Sequence, residues 1–206
     1  MSPRPALLLS LLLAATPALA DDRPARLSPS RDTEVTYQPL NQGAGSAVTF
    51  PRHGWRVAAG QVREDYVPRD QPLGAPVAQA GYAVWDLRAR TGFRVSPFDN
   101  SIRAEAPRFD TIVPPLHFPP EIRFRRAGTR TIAGLSCTYY KLTANEPWDG
   151  EACVTAEGVV LLSGGRPVFD NPSIPARYNG VQAVAVRFRQ QDPARFQRPT
   201  GLRETP

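Results

Sequence analysis

Histidine, cysteine, lysine and methionine are all scarce in this 206-residue chain. It has two cysteines, Cys137 and Cys153, two histidines, His53 and His117, the single lysine Lys141 and the single methionine Met1. His53 stands in the turn-like run Pro51-Arg52-His53-Gly54 and His117 stands among prolines. Neither has a second His, Cys or carboxylate at ligand spacing, so no metal motif is present. There is no G-x-S-x-G elbow for serine-based hydrolysis. No glycine-rich loop opens a helix to cradle phosphate. Glu64-Asp65 is an adjacent carboxylate pair, but neighbours in a strand point to opposite faces, which makes it no paired acid/base device. The chain therefore reads as a protein that is not an enzyme, without metal or organic cofactor. The remaining catalytic alternative is a hydrolase built from carboxylates distant in sequence.

Long apolar runs are missing too, except for one. Ala6 to Ala15 is interrupted only by Ser10. It follows a short positive segment ending in Arg4-Pro5 and precedes Thr16-Pro17 and the small-residue site Ala18-Leu19-Ala20. That order is the one a secretory signal peptide has. The run is about half the ~20 residues needed to cross a bilayer. Residues 1–20 are expected to be removed after Ala20, leaving a soluble periplasmic chain with no transmembrane anchor. No cysteine follows the run to take a lipid.

In an oxidising compartment an even cysteine count reads as a disulfide. Turn residues from Asn145 to Gly150 separate two strand-like stretches. A hairpin centred near Asn145 would set Cys137 and Cys153 opposite one another on neighbouring strands, far from the C-x-x-C spacing of redox pairs. The formal charge is +6, but the arginines are scattered. Arg123, Arg125 and Arg126, the densest group, sit inside an alternating pattern and lack the basic face with aromatic stacking partners that marks a nucleic-acid binder. Attraction to anionic lipid head groups is a general consequence of such charge.

What the chain does have is short alternating segments. Thr33 to Tyr37 alternates with period two, and Ala47–Phe50, Trp55–Ala58, Gln61–Val67, Tyr82–Leu87, Phe93–Ser96 and Ser101–Glu105 follow, with Pro51 to Gly54 as a break. Ile122–Arg125 continues into Thr129–Ala133, with a bend at Gly134. Then come Ser136–Thr143, Ala152–Thr155, Val159–Leu162 and Val181–Phe188. Asp192 to Phe196 reads as one helical turn. Roughly ten short strands without a long amphipathic helix argue for a sandwich, barrel or curved sheet. Aromatic residues stand on almost every strand. A curved sheet with few covering helices must leave its concave face apolar, either to bind something apolar or to be plugged by loops. Tyr82, Val84, Trp85, Phe124 and Tyr140 are the expected cavity-lining, ligand-binding residues. The proline-rich segments 106–120 and 164–180 are the expected plugs.

Several segments resemble small exported proteobacterial proteins of unknown function related to the periplasmic lipoprotein-carrier (LolA/LolB-like) fold. They are Arg31-Asp32-Thr33-Glu34-Val35-Thr36-Tyr37, Tyr82-Ala83-Val84-Trp85-Asp86-Leu87, Arg126 to Thr138, Glu151 to Leu161, and Gln191-Asp192-Pro193-Ala194-Arg195-Phe196 with Pro199. The resemblance implies a mainly β chain: a strongly curved antiparallel sheet forming an unclosed barrel, with short helices or Pro-rich loops over its concave face. The expected organisation is a signal peptide over 1–20, a flexible leader over 21–31, one β domain over 32–198 and a loose tail over 199–206. The expected function is binding of a lipid-like or other hydrophobic ligand without covalent chemistry. The alternative is a structural or interaction module whose concave face is filled by its own loops.

Overall fold

Period-two patterning is carried into an almost purely β architecture. The computed structural model describes residues 21–40, 50–56, 60–67, 81–105, 118, 121–143, 148–167 and 179–206. The expected signal peptide, His117, most of segment 106–120 and residues 168–178 lie outside the described residues. Twelve strands are present among those described: β1 (Thr33–Pro39), β2 (Phe50–Arg56), β3 (Gln61–Val67), β4 (Tyr82–Asp86), β5 (Thr91–Ser96), β6 (Ser101–Ala104), β7 (Arg123–Ile132), β8 (Leu135–Thr143), β9 (Trp148–Val154), β10 (Val160–Pro167), β11 (Asn179–Phe188) and β12 (Arg203–Thr205). They form one sheet in the order β12-β6-β5-β4-β3-β2-β1-β11-β10-β9-β8-β7. Every pairing is antiparallel except that of β12 with β6.

The sheet is bent hard at one end. β7 and β11 are four places apart in the strand order. In a flat sheet that separation is about 19 Å. Here Cα atoms of the two strands come within 8 Å. β7 and β12 remain the two edges and do not pair, so the sheet is curved and unclosed, as expected. The main core gathers in the curled half, where Tyr37, Phe124, Leu142, Leu161 and Val181 are almost wholly buried.

Local differences from the sequence reading have physical causes. Pro51 to Gly54 is not a break, and His53 is in a strand rather than a turn: β2 runs through both. The register steps between Pro51 and His53, leaving Arg52 as the extra residue of a bulge, where a proline costs the ladder least. β7 is likewise continuous, with a bulge between Arg126 and Gly128. It turns into β8 through Ala133 and Gly134, both with positive φ (49° and 76°), the two-residue geometry whose twist suits a hairpin.

The cysteines are bridged, with Cα atoms 5.5 Å apart. They are not directly opposite, however. β8 and β9 pair Tyr139 with Cys153 and end at Thr138 with Val154. The hairpin is therefore centred one residue later than expected, and the bridge runs diagonally. It ties the tip of the β7–β8 hairpin, which projects past the last β9 pairing, back onto β9.

Both expected loose ends are tied. In the leader, the Asp22 N–H donates to the Phe124 carbonyl at 2.8 Å. Asp21 Oδ1 accepts from the Phe124 N–H at 2.9 Å, and Asp22 Oδ2 accepts from the Arg126 N–H at 2.8 Å. At its other end the Ser30 N–H donates to the Glu157 carbonyl, and Arg31 makes a two-pronged pair with the Glu157 carboxylate. The leader is strapped from the β7 edge to the turn after β9 because its acidic residues meet unpaired edge N–H groups. The tail is held because Arg203–Thr205 adds β12 alongside β6.

Candidate functional site

Register, followed strand by strand, decides which side chains share a face. Trp85 pairs with Val62, Val62 with Arg56, and Arg56 with Thr33. Ala83 leads through Glu64 and Gly54 to Val35 in the same way. On the other side Tyr37 leads through Ala183, and Val181 through Ser163 and Ala152 to Tyr140. Leu142 pairs with Phe124. Trp85, Val35, Tyr37, Tyr140 and Phe124 therefore lie on one face. Its side chains Tyr37, Phe124 and Leu142 are among the largest fully buried ones of the curled half, which marks it as the concave face.

Of the five expected ligand-lining residues, Phe124 and Tyr140 are in contact. Their rings meet edge-to-face at 5.4 Å. Trp85 shares their face but stands in a separate cluster with Val62 and Ala83. Tyr82 and Val84, one residue out of phase with Trp85, point to the opposite, convex face, where they pack with Phe93, Val95 and Ile102. That face is covered by the chain's own C-terminal segment. The short 3-10 helix Pro193–Phe196 is capped by Asp192, and it buries Phe196 against this cluster, joined by Leu202. Arg63 crosses to the Arg195 carbonyl at 2.9 Å and stacks 3.7 Å over the Tyr82 ring.

Among the described residues the Phe124–Tyr140 pair is covered by a third ring. Phe118, from the expected plug segment, closes on Phe124 edge-to-face at 5.3 Å and is itself buried. Ile122, Leu27 and Leu40 pack against the same core. The Arg23 guanidinium caps Phe124 from 4.9 Å. Three rings in alternating edge-to-face contact are an attractive arrangement worth about 0.5–1.5 kcal/mol per pair beyond the area they bury.

Glu64 and Asp65 are both buried but on opposite faces, and Asp65 is paired with Arg63 at 2.9 Å. Burial raises the Tyr82 phenol above its ordinary range, against the opposing pull of Arg63. Among the described residues no three His, Cys, Asp or Glu side chains gather to hold a metal ion. A cavity of about 390 Å³ is lined by Arg31, Asp32, Phe188, Arg189 and Gln190. It is shallow, and Arg31 already lies 3.8 Å over the Phe188 ring.

Arginines that look scattered along the sequence form a basic ridge on one strand. Arg123, Arg125, Arg126 and Arg130 are all exposed on the edge strand β7. Arg125 pairs across with Lys141, and Arg130 stacks 3.5 Å over the Tyr139 ring. The Tyr139 side chain also hydrogen bonds Lys141 and holds its ammonium above the ordinary lysine range, outweighing desolvation. Tyr139 donates its hydroxyl to the Glu151 carboxylate. The signal was in the sequence as arginines spaced by two on a strand, but nothing there identified that strand as an edge.

No protein-family model matches the chain, and no curated sequence does. Among solved structures, an uncharacterized conserved protein from Thermus thermophilus aligns over 85% of this chain and 90% of its own, at 10% identity and a TM-score of 0.49. MucB aligns over 84% of this chain at 14% identity with a TM-score of 0.48. In the Pseudomonas aeruginosa MucA/MucB complex the alignment covers 82% of this chain at 13% identity and a TM-score of 0.44. The chain spans between 56% and 59% of the MucB chains it matches. At these values the likeness decides neither ligand nor partner.

Proposed function

We propose that this chain is an exported, periplasmic, non-catalytic binding module that holds a partner polypeptide on its sheet and fills its own concave face. The observation that carries this reading is the seating of Phe118 on the Phe124–Tyr140 pair. An acyl chain entering the curled half would have to displace a buried ring that the chain supplies itself. The disulfide supports an oxidising compartment. The buried carboxylates Glu64 and Asp65 on opposite faces argue for a module without acid/base chemistry.

A second reading, binding of a lipid-like or other hydrophobic ligand, has one observation in its favour. Val62, Ala83 and Trp85 extend the apolar concave face away from Phe118. Native mass spectrometry of the protein purified from its exporting host separates the two. The module reading expects the bare polypeptide mass; a co-purifying lipid adduct would favour the second reading.

A further inference from the structure

The two edges of the sheet are finished differently. At one, β12 is three residues long. Such a short edge gives little for another strand to pair with. At the other, β7 is ten residues long. Its Phe124 turns N–H and C=O outward, since both bond the leader rather than β8. The antiparallel alternation, carried through the bulge at Ala127, turns the backbone groups of Thr129 and Thr131 the same way. Ile132 and Leu135 then close the two-residue turn as the hydrogen-bonded pair, which fixes that phase independently. Thr129 and Thr131 are exposed, and no outward partner for them is present among the described residues.

This stretch is also held rigid. It belongs to the hairpin tip that the Cys137–Cys153 bridge fastens to β9, Cys137 being the register partner of Arg130. A preorganised strand edge loses less on pairing than a mobile one.

The charge around the edge selects the occupant. Arg123, Arg125 and Arg126 have no carboxylate at ion-pair distance among the described residues, while Arg130 has Glu151 at 3.8 Å. A second copy adding its own β7 would set these arginines against one another, and like charges across a strand pair oppose pairing. An acidic strand would meet the opposite field. The chain already demonstrates the preference on itself. The segment seated on the lower part of this edge is Asp21-Asp22, which uses one backbone N–H and both carboxylates.

Resting on the reading of the chain as a partner-holding module, we infer that the β7 edge from Gly128 to Ile132 takes an extended acidic segment of a partner polypeptide by strand addition. The partner's backbone pairs with Thr129 and Thr131, and its alternate carboxylates face Arg125 and Arg130. This is main-chain affinity combined with side-chain selectivity, as in other edge-strand recognition.

The test uses the exported full-length mature protein and a synthetic peptide of about seven residues alternating glutamate with threonine or valine, a length that matches one edge. Its lysine counterpart and phosphatidylglycerol vesicles serve as the other probes. Binding is read by amide chemical shifts, with the largest changes expected at Thr129 and Thr131. Arg125→Glu with Arg130→Glu should weaken the acidic peptide by about tenfold or more while retaining the native amide spectrum elsewhere. Thr131→Pro, which removes an outward N–H and leaves the β8 ladder in place, should weaken it comparably. Equal binding of the lysine peptide, shifts confined to another surface, binding to vesicles alone, or concentration-dependent self-pairing at β7 would each overturn the inference. A lipid adduct would overturn the module reading instead, whereas a lipid-free protein that ignores the acidic peptide overturns only this inference.

Discussion

Reducing the Cys137–Cys153 bridge is the perturbation whose size follows most directly from the chain. The cysteines are 16 residues apart in sequence. Opening a loop of that size in the unfolded ensemble costs the native state about 3 kcal/mol in the chain-entropy description. For a domain of this length each kcal/mol moves the melting temperature by about 2–4 °C, so the expected fall is roughly 6–12 °C. Thermal unfolding followed by circular dichroism, with and without a thiol reductant, measures it. Reduction isolates the bridge better than Cys137→Ser, since residue 137 is only 3% exposed. A serine there adds the penalty of a buried hydroxyl, about 1–3 kcal/mol when unsatisfied. The loss should also be local. Amide exchange at Ile132 and Leu135, in the projecting tip, should accelerate before that of Val181 or Ala183. A melting temperature unchanged within error on complete reduction would refute this account of the bridge.

Three further outcomes follow. Phe124→Ala removes a 1% exposed ring that touches both Phe118 and Tyr140, and should destabilise by about 3–5 kcal/mol in urea unfolding; a cost near that of a surface substitution would mean the three rings do not hold the concave face. Replacing Asp21 and Asp22 by Ala should raise hydrogen exchange at Arg126 and Phe124 and leave the core rates unchanged, whereas unchanged exchange at both amides would show that the leader does not guard the edge. The Tyr82 phenol has its folded pKa raised by burial, so its contribution is fully present below the ordinary tyrosine value and is lost as pH rises through the raised one. In an absorbance titration compared with Tyr82→Phe, the Tyr82 step should come late, and a step at the ordinary value would contradict that placement.

Much of the fold could be read directly from residue order. Alternation located β1, β4, β5, β8 and β11, and Asp192-Pro193 marked the short helix, because a half-buried strand and a capped turn leave local signatures. Continuity through Pro51 was not legible, since a bulge that absorbs a proline depends on the neighbouring strand. β12 was missed because three residues of parallel pairing have no periodicity of their own. The site was only partly legible. Phe124 and Tyr140, two of the residues expected to line a cavity, lie in ring contact, whereas Tyr82 and Val84 stand on the face opposite Trp85, because adjacent strand positions must diverge. The leader and the basic ridge show the remaining limit. Whether Asp21 meets Phe124 and whether Arg130 stands on an edge strand are facts of strand order, which no local pattern encodes.

The question underneath all of this is what occupies the curled half of the sheet. Titrating the mature protein with a fluorescent fatty acid, alongside Phe118→Ala, asks it directly. If Phe118 fills that face, the native protein takes up no probe, and any uptake is confined to the truncated variant. Stoichiometric uptake by the native protein, lost when Phe124 or Tyr140 is substituted, would contradict the account and return the concave face to a ligand.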